Sequence, residues 1–325
     1  MLLNNAARFV ATSYDILVLG GGTAGATIAA ELSKSDLTVG VIEAGPSRLN
    51  DPLVYTPGYF GHALTNPDYD WTYLTTPQPD VDNREVVMSA GKMLGGSSGL
   101  NLMAWTSGAK SEYDAWEKLG NPGWGADDFL PYIRKAEQIQ DLILEEQQTR
   151  APEPPYNEAL HGRKGSVKVG FPLWVTKAAE TVIETFHSLG VRWNKDPFGG
   201  DNGGVIYALT SVDQKTARRS YADPAYVVPA LERKNFHVLT TATVGKIILD
   251  KHKRAVGVEF YDAGKKKYTA NLKVGGEVIV SAGSLGSPKI LELSGIGNKK
   301  VLKKAGIPVQ VESEFVGENL QDHLC

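Results

Sequence analysis

The sequence is poor in cysteine, and its one cysteine, Cys325, is the last residue. A single cysteine cannot form an internal disulfide, which excludes a scaffold held together by disulfides within the chain. Asn-X-Ser/Thr acceptor sites are missing as well. Residues 1–13 carry only one charged side chain, Arg8, and lack the apolar core of a secretory signal peptide. These absences favour an intracellular protein, although the compartment stays unassigned.

Long apolar runs and a charge of one sign are also absent. No apolar stretch is long enough to predict a membrane-spanning helix. The net charge is −3, so nothing in the charge balance predicts a nucleic acid or an anionic lipid as a partner. The basic run 265–267 directly follows Asp262-Ala263-Gly264, which predicts a solvated hairpin turn. A length of 325 residues suits one large or two ordinary globular domains.

Glycine is abundant, with 35 residues, and one cluster follows an apolar strand. Gly20, Gly22 and Gly25 have G-x-G-x-x-G spacing between a predicted strand, 15–19, and a predicted helix, 26–32. In a dinucleotide-binding turn the first glycine permits the tight turn and the second lets the backbone approach a pyrophosphate. The third lets the helix pack on the strand. The pattern therefore predicts a nucleotide-binding α/β fold.

Two features next to this turn strengthen the prediction. The helix N-terminus at Thr23 and Ala24 offers unpaired N–H groups and a positive dipole end to phosphates. Glu43 lies 23 residues after Gly20, at the end of a second predicted strand, 38–42. Its carboxylate can accept hydrogen bonds from an adenosine ribose.

The rest of the chain predicts a divergent middle followed by a return to sheet. The charged and then proline-rich segment 141–155 predicts an exposed connection, and the apolar residues of 176–189 have helical spacing that predicts packing against a core. Alternating segments after residue 235 predict antiparallel strands. The further predicted helices are 112–119, 127–136 and 287–293, and the predicted strands are 236–240, 244–249, 256–261, 267–272 and 277–281.

Two longer glycine-containing segments are more specific than the opening turn. The first runs from Gly91 to Asn101 and continues through Trp105, Gly108 and Asp114, with a helix predicted from the glycines to Trp105. The second is 283–297. Both resemble, position by position, the two signature segments of the glucose–methanol–choline (GMC) oxidoreductases, which include aryl-alcohol oxidases and choline dehydrogenases. The opening turn and the closing segment 316–323 are also similar to that family, so the resemblance extends from about residue 14 to the end.

The resemblance implies an α/β fold with an FAD-binding, Rossmann-like domain of the GMC type and an inserted, incomplete α+β substrate domain. The implied FAD-binding domain has a first part at 13–150, which includes a flavin-covering segment at 46–80. Part of the substrate-binding domain is expected at 151–215. The second part of the FAD-binding domain is expected at 216–325.

The resemblance also implies a set of cofactor contacts. Gly95 and Gly96 allow the backbone to come close to a flat ring, Ser97 can reach a phosphate, and the backbone of Val244 is expected to meet adenine. Some family members attach FAD through a histidine at the position held here by Leu100, so non-covalent FAD is expected. The complete implied set is Gly20, Gly22, Thr23, Ala24, Gly25, Glu43, Gly95, Gly96, Ser97, Asn101, Leu102, Ala104 and Val244, where Asn101 to Ala104 face the polar edge of the flavin.

The activity implied is oxidation of an alcohol by hydride transfer to flavin N5, with O2 or another electron acceptor. Family members are longer, and their later half carries the catalytic histidine and its partner, so no catalytic residue is expected in this chain. None of the six histidines falls in the matching motif or has metal-ligand spacing, and no metal is expected. The C-terminal half is expected in a longer protein or as a separate chain.

Several alternatives stay open at this point. A truncated flavin-binding protein without catalysis is one, and a lyase or photodecarboxylase of the same fold is another. Trp71 and Tyr73 belong to a family-like segment near the flavin entrance, yet packing explains them equally well. Trp193, Phe198 and Tyr207 are candidates for the border of a substrate cavity, with packing favoured.

Overall fold

The structure is a computed structural model that describes residues 1–141, 157–172, 176–194, 196–206 and 208–322. The predicted connection 141–155 lies outside these residues apart from Asp141, as do Tyr207 and His323. Two compact units are present. The sheet unit comprises Met1–Val54, Gly61–Leu100 and Tyr221–Cys325, and the second unit comprises Tyr55–Phe60 and Asn101–Ser220. The domain boundaries expected from the sequence stay a prediction.

The strands and helices are numbered here in chain order. The strands are β1 Leu2–Leu3, β2 Ser13–Leu19, β3 Val39–Ile42, β4 Tyr73–Leu74, β5 Val87–Met88, β6 Ala104–Trp105, β7 Glu137–Ile139, β8 Val167–Val169, β9 Leu209–Thr210, β10 Val212–Asp213, β11 Arg218–Arg219, β12 Phe236–Leu239, β13 Thr243–Leu249, β14 Ala255–Tyr261, β15 Lys267–Val280, β16 Ile296–Gly297 and β17 Val311–Glu312. The α-helices are α1 Ala6–Val10, α2 Thr23–Leu32, α3 Pro52–Tyr55, α4 Lys110–Lys118, α5 Ala126–Ala136, α6 Lys177–Ser188, α7 Val228–Ala230, α8 Gly283–Leu293 and α9 Lys299–Lys304.

The sheet unit is built on a seven-stranded sheet of order β1-β12-β3-β2-β15-β14-β13. The strands from β1 to β15 in this order are parallel, with Leu17 of β2 opposite Gly40 of β3 and Val278 of β15. The sheet continues through the antiparallel pairs β15–β14 and β14–β13. This mixed sheet, with the predicted strand–glycine turn–helix unit at its centre, confirms the α/β fold class.

The strand predictions after residue 235 are partly wrong. β12 was expected to be antiparallel, but it lies parallel between β1 and β3. The predicted strands 267–272 and 277–281 form one strand, β15, with a register shift between Leu272 and Glu277. The first part of β15 pairs with β14, and the second part pairs with β2. The gap left between the two predicted strands is an irregularity within one strand. The predicted hairpin turn at 262–266 is confirmed.

Side chains on both faces of the parallel strands are buried. Leu17 and Leu19 pack in one cluster with Phe9, whereas Ile16 and Val18 pack in a second cluster that includes Ala26 of α2. Because successive side chains of a strand point to opposite faces, both faces of β2 are covered. This is why β2 reads as a continuous apolar run instead of an alternating one.

In its described residues, the second unit consists of short strand pairs and three α-helices. The pairs are β6–β9, β7–β8 and β10–β11. Helix α6 matches the helix predicted at 176–189, and Thr176 caps it by accepting a hydrogen bond from Ala179 N–H. The predicted burial of its apolar residues is wrong, however. Ile183 is buried, but Val182, Phe186 and Leu189 are 53%, 49% and 74% exposed. An amphipathic pattern specifies a face without specifying what covers it.

The helix predicted from the second glycine cluster to Trp105 is also wrong. Only Gly96–Gly99 forms a short 3-10 turn, and Trp105 lies in strand β6. The backbone has positive φ at Gly95 (90°), Gly96 (54°) and Met103 (63°). Left-handed residues at these positions interrupt any continuous right-handed helix.

Candidate cofactor site

A groove of about 660 Å3 lies within the sheet unit. Residues that directly follow three neighbouring parallel strands line it: Gly20 after β2, Glu43 after β3 and Ser281 after β15. The carboxyl end of a parallel sheet is where open α/β folds bind ligands. The volume falls in the range of about 300–1,000 Å3 that is typical of ligand pockets.

The opening glycine turn forms one wall of the groove because its backbone leaves no space for side chains. Gly20 has a φ of 97°, and a Cβ built there would lie 2.6 Å from the carbonyl oxygen of Ser281. Gly25 does not line the groove, but it packs helix α2 against the Gly20 carbonyl. Gly20 and Gly25 therefore do what the spacing predicts for the turn and for the packing of helix on strand, and the role of Gly22 toward a pyrophosphate stays a prediction.

Helix α2 begins at the groove with free amide groups. Its N-cap is Gly22, which has no side chain to accept from the first turn, and its first backbone hydrogen bond runs from Ala26 N–H to Gly22 O at 2.9 Å. The amides of Thr23, Ala24 and Gly25 consequently precede the helical ladder. Thr23 and Ala24 line the groove. This end of α2 therefore offers N–H donors and a positive dipole end to an anionic group in the groove.

Glu43 lines the groove and is also part of its framework. One carboxylate oxygen accepts from Gly21 N–H at 2.7 Å, and the other accepts from Gly45 N–H at 2.8 Å. Burial raises the pKa of Glu43 to about 7, against the opposing effect of these hydrogen bonds. The backbone of Ala44 bonds the carboxylate as well, and of its four lone-pair sites one is left to accept a hydrogen bond from a hydroxyl in the groove. The sequence indicated the ribose role but not the bonds to the glycine turn.

The second glycine pair lies against the first turn. Gly95 N–H donates to Gly21 O at 2.7 Å, and a Cβ on Gly96 would lie 2.6 Å from Gly22 Cα. Gly96 lines the groove, whereas Gly95 packs on the ring of Tyr221. The two glycine segments, about seventy residues apart in the chain, thus meet at backbone distance.

Ser97 also lines the groove and stabilises the local loop by accepting from Gly91 N–H at 3.1 Å. Val244, near the start of β13, lines the groove at the edge of the sheet. The sequence-expected residues found on the groove wall are Gly20, Gly22, Thr23, Ala24, Glu43, Gly96, Ser97 and Val244.

Several groove residues had no assigned role in the sequence. Gly283, Ser287 and Lys289, from the first two turns of α8, all line the groove. They belong to the family-like segment 283–297, and this resemblance was the feature of the sequence that could have indicated their place in the groove. Trp71 and Tyr73 line it too, with nearly parallel rings whose centroids are 5.9 Å apart. The two rings thus pack on each other as well as lining the groove, and their expected place at a flavin entrance stays a prediction.

Three expected contacts, Asn101, Leu102 and Ala104, belong to the second unit. Asn101 accepts two hydrogen bonds from Arg219, and Leu102 is 59% exposed. Ala104 is in β6, opposite Thr210 of β9. Their roles toward a cofactor stay a prediction.

Leu100 and Phe198 are both buried and pack against other residues. Leu100 is 3% exposed and packs with Met93 and Tyr221 in a small apolar cluster of the sheet unit. Phe198 packs against the ring of His161 in the second unit, with centroids 4.8 Å apart. For Phe198 the favoured packing interpretation is therefore the one observed.

His161 is held between two carboxylates and is buried. Its Nδ1 lies 2.9 Å from Glu137 Oε1, and its Nε2 lies 3.1 Å from Asp196 Oδ2. Burial opposes a charged imidazole, but the hydrogen bonds to Asp196 and Glu137 outweigh it and raise the pKa of His161 to about 9. This arrangement is a structural ion cluster that the sequence did not indicate, since the three residues are far apart in the chain. The described part of the chain contains no group of His, Cys, Asp or Glu suited to a metal ion.

The fold and the groove define a nucleotide-binding α/β protein, and comparison with known proteins assigns its family. The family model of the GMC oxidoreductases matches residues 14–325. The chain therefore belongs to the GMC oxidoreductase family, whose fold binds FAD.

Individual relatives agree with this assignment. The chain is 40% identical to a dehydrogenase of Armillaria gallica, over 97% of this chain and 51% of that protein. It is 34% identical to an oxygen-dependent choline dehydrogenase of Rhizobium rhizogenes, over 95% of this chain and 53% of that protein. A solved FAD-dependent oxidoreductase from Chaetomium thermophilum superposes with a TM-score of 0.84 at 32% identity, over 92% of this chain and 50% of that chain. The chain spans about half the length of these relatives.

No helix within the described residues has the length and apolar character needed to cross a bilayer.

Proposed function

We propose that this chain is the N-terminal portion of an FAD-dependent oxidoreductase that oxidises an alcohol. The observation that carries the proposal is the groove at the carboxyl ends of β2, β3 and β15. There, unpaired amides of α2, the carboxylate of Glu43 and two backbone-lined glycine turns come together. The amides suit phosphates, the carboxylate suits a ribose, and the backbone of the glycine turns can approach a flat ring.

Each part of the adenosine diphosphate half of FAD has suitable residues in the groove. The amides of Thr23, Ala24 and Gly25 suit a pyrophosphate, and Glu43 suits a ribose hydroxyl. Val244 at the sheet edge suits adenine. When bound, FAD supplies the acceptor of the substrate hydride at its N5.

The flavin half of the cofactor is assigned to the second glycine pair and the residues that follow it. Gly95 and Gly96 leave room for the backbone to approach a flat ring, and Ser97 has a hydroxyl in the groove. Asn101 and the backbone from Leu102 to Ala104 are proposed to hydrogen-bond the polar edge of the ring.

We propose that the cofactor is bound without a covalent link. Leucine has no nucleophilic atom, and Leu100 packs in an apolar cluster with Met93 and Tyr221. Binding then depends on hydrogen bonds, on the dipole of α2 and on the shape of the groove.

The proposed substrate is a small-molecule alcohol, and the proposed electron acceptor is O2 or another oxidant. Both are supported by the name of the Rhizobium relative, an oxygen-dependent dehydrogenase of choline, which is an alcohol. The nature of the groove walls does not distinguish one alcohol from another.

The catalytic base is proposed to lie outside this chain, in a C-terminal half that is either continuous with it or a separate polypeptide. The relatives' additional length supports this proposal, as does the exposed apolar face of α6, formed by Val182, Phe186 and Leu189. A surface of this kind is typical of a protein contact.

The test is anaerobic mixing of the flavin-loaded protein, together with any polypeptide that co-purifies, with a panel of primary alcohols. Loss of the visible flavin absorbance, followed by its return on admission of air, is the expected result. A matched panel of the corresponding ethers, which lack the hydroxyl proton, provides the control. Flavin that no alcohol reduces, in material that contains the C-terminal half, would contradict alcohol oxidation and would favour a non-catalytic flavoprotein or a lyase. The intact mass of the purified material shows whether a second polypeptide is present.

A further inference from the structure

Asn101 is held in one orientation by hydrogen bonds within the second unit. Its side-chain oxygen accepts from Arg219 Nη1 at 2.8 Å and from Met103 N–H at 3.1 Å. The same Arg219 nitrogen donates to the main-chain oxygen of Asn101, also at 2.8 Å. A guanidinium and a backbone N–H can only donate, so the atom that faces them has to be the amide oxygen. The orientation of the amide therefore follows from the chemistry of its neighbours.

Arg219 is well placed to impose this orientation. It is 3% exposed and lies in β11, opposite Val212 of β10. The same hairpin region holds Met103, since Ser211 N–H donates to Met103 O at 2.9 Å. The loop from Asn101 to Met103 is thus fixed at both ends by one hairpin region, through the buried residues Arg219 and Ser211.

The consequence is that Asn101 presents its NH2 group outward as a hydrogen-bond donor. Asn101 is exposed, and its amide nitrogen donates to no residue in the described part of the chain. A cation at the amide oxygen polarises the group and strengthens its N–H donors. The acceptor atoms at the polar edge of a flavin, N1, N5, O2 and O4, suit such a donor.

We propose that Arg219 is a positioning residue for the flavin: it fixes Asn101 so that its amide gives only donors to the acceptor edge of the ring. This inference depends on the proposed function, which places FAD at Asn101. Donors at the N1 and O2 positions of that edge favour the reduced flavin, in which negative charge gathers there, whereas N5 itself becomes an N–H group on reduction. Arg219 thereby raises the reduction potential without contact to the ring.

The experiment measures flavin content and reduction potential in the flavin-loaded protein for Arg219→Met, Asn101→Asp and Arg218→Met. Asn101→Asp keeps the oxygen that Arg219 and Met103 use but replaces the donor by an acceptor. Arg218 is the exposed neighbour of Arg219, stacked on Tyr55, and is the matched control. We expect the first two variants to bind reduced flavin about tenfold less favourably relative to oxidised flavin, which is about 30 mV for a two-electron couple. Arg218→Met is expected to leave the potential unchanged.

A double-variant comparison separates positioning from general loss of structure. In an Asn101→Ala background, Arg219→Met is expected to cause no further change of potential, because the group that it positions is gone. An undiminished effect of Arg219→Met in that background overturns the proposal, as does an unchanged potential in Asn101→Asp. If Arg219→Met does not fold, Arg219→Gln takes its place in the single variant and in the Asn101→Ala background, since it also removes the guanidinium from Asn101. A wild-type protein that binds no FAD would instead refute the proposed function.

Discussion

Gly25 lies so close to Gly20 that a Cβ on Gly25 would stand 2.0 Å from the carbonyl oxygen of Gly20. Gly25 is in the first turn of α2, and Gly20 directly follows β2. This contact brings the N-terminus of the helix to the end of the strand, where its free amides face the groove. The third glycine of the motif is therefore needed for packing, and the anion site depends on it.

Gly25→Ala is expected to destabilise the protein, although alanine normally favours a helix over glycine by about 0.5–1 kcal/mol. The new methyl group meets a backbone oxygen that cannot move away without displacing β2. We expect a loss of about 2 kcal/mol in the free energy of unfolding, as for other overpacked sites, together with a clear loss of bound FAD. Urea denaturation and the ratio of flavin to protein absorbance measure the two effects.

Gly61→Ala is the matched control for that substitution, since a Cβ at Gly61 meets no atom within 4 Å. It is expected to change neither stability nor flavin content. If Gly25→Ala behaved like Gly61→Ala, the close packing of α2 on the end of β2 would be contradicted.

The strand–turn–helix unit could be predicted from the sequence because glycine spacing reports directly on backbone contacts. The second glycine cluster was equally specific for the family, but its local structure could not be predicted from the sequence. Positive φ at Gly95, Gly96 and Met103 depends on contacts with distant residues such as Tyr221 and Ser211. No pattern of neighbouring residues carries that information.

Glu43→Gln is expected to change how stability depends on pH in the flavin-free protein. Burial raises the pKa of Glu43 from 4.5 to about 7, so the folded state binds the proton more strongly than the unfolded state. The contribution of Glu43 therefore falls as pH rises from about 4.5 to about 7, by on the order of 3 kcal/mol. The difference in unfolding free energy between wild type and Glu43→Gln, measured across this interval, isolates that contribution. Parallel pH curves for the two proteins would contradict the burial of a titrating carboxyl at this position.

Because of the His161 cluster, we expect the unfolding free energy to fall at alkaline pH. The pKa of His161 is raised from 6.5 to about 9 in the folded state, so the imidazolium stabilises the fold fully below pH 6.5, and this contribution disappears as pH rises through about 9. The expected loss is on the order of 3 kcal/mol. His161→Gln removes this dependence and leaves Glu137 and Asp196 without their cation. Chemical denaturation of both proteins between neutral and alkaline pH measures it, with the exposed His187→Gln as control. A wild-type curve that stays parallel to that of His161→Gln would count against the cluster.

The exposed face of α6 is expected to contribute little to the stability of this chain. Phe186→Ser is expected to change the unfolding free energy of this chain by less than about 0.5 kcal/mol and to reduce binding of a hydrophobic dye. Ile183 lies in the same helix but is buried. Ile183→Ala is therefore expected to lower the unfolding free energy by about 2 kcal/mol. Equal losses for the two variants would show that Phe186 is covered within this chain.

The same helix shows which property the sequence specifies and which it does not. Its position followed from the spacing of its apolar residues, and its N-cap, Thr176, is a typical capping residue. Whether a face is covered depends on what packs against it, and that is a tertiary property. The same holds for Arg219, because the hydrogen bond to Asn101 on which its proposed role rests joins residues more than one hundred positions apart.

The most direct test of the account is the flavin content of the purified, unstripped protein, measured separately in the supernatant and the pellet after acid precipitation. We expect about one FAD per chain in the supernatant and a colourless pellet. Colour that stays in the pellet would contradict non-covalent binding. A folded protein that contains no flavin and takes up none when FAD is added would contradict the assignment of the groove.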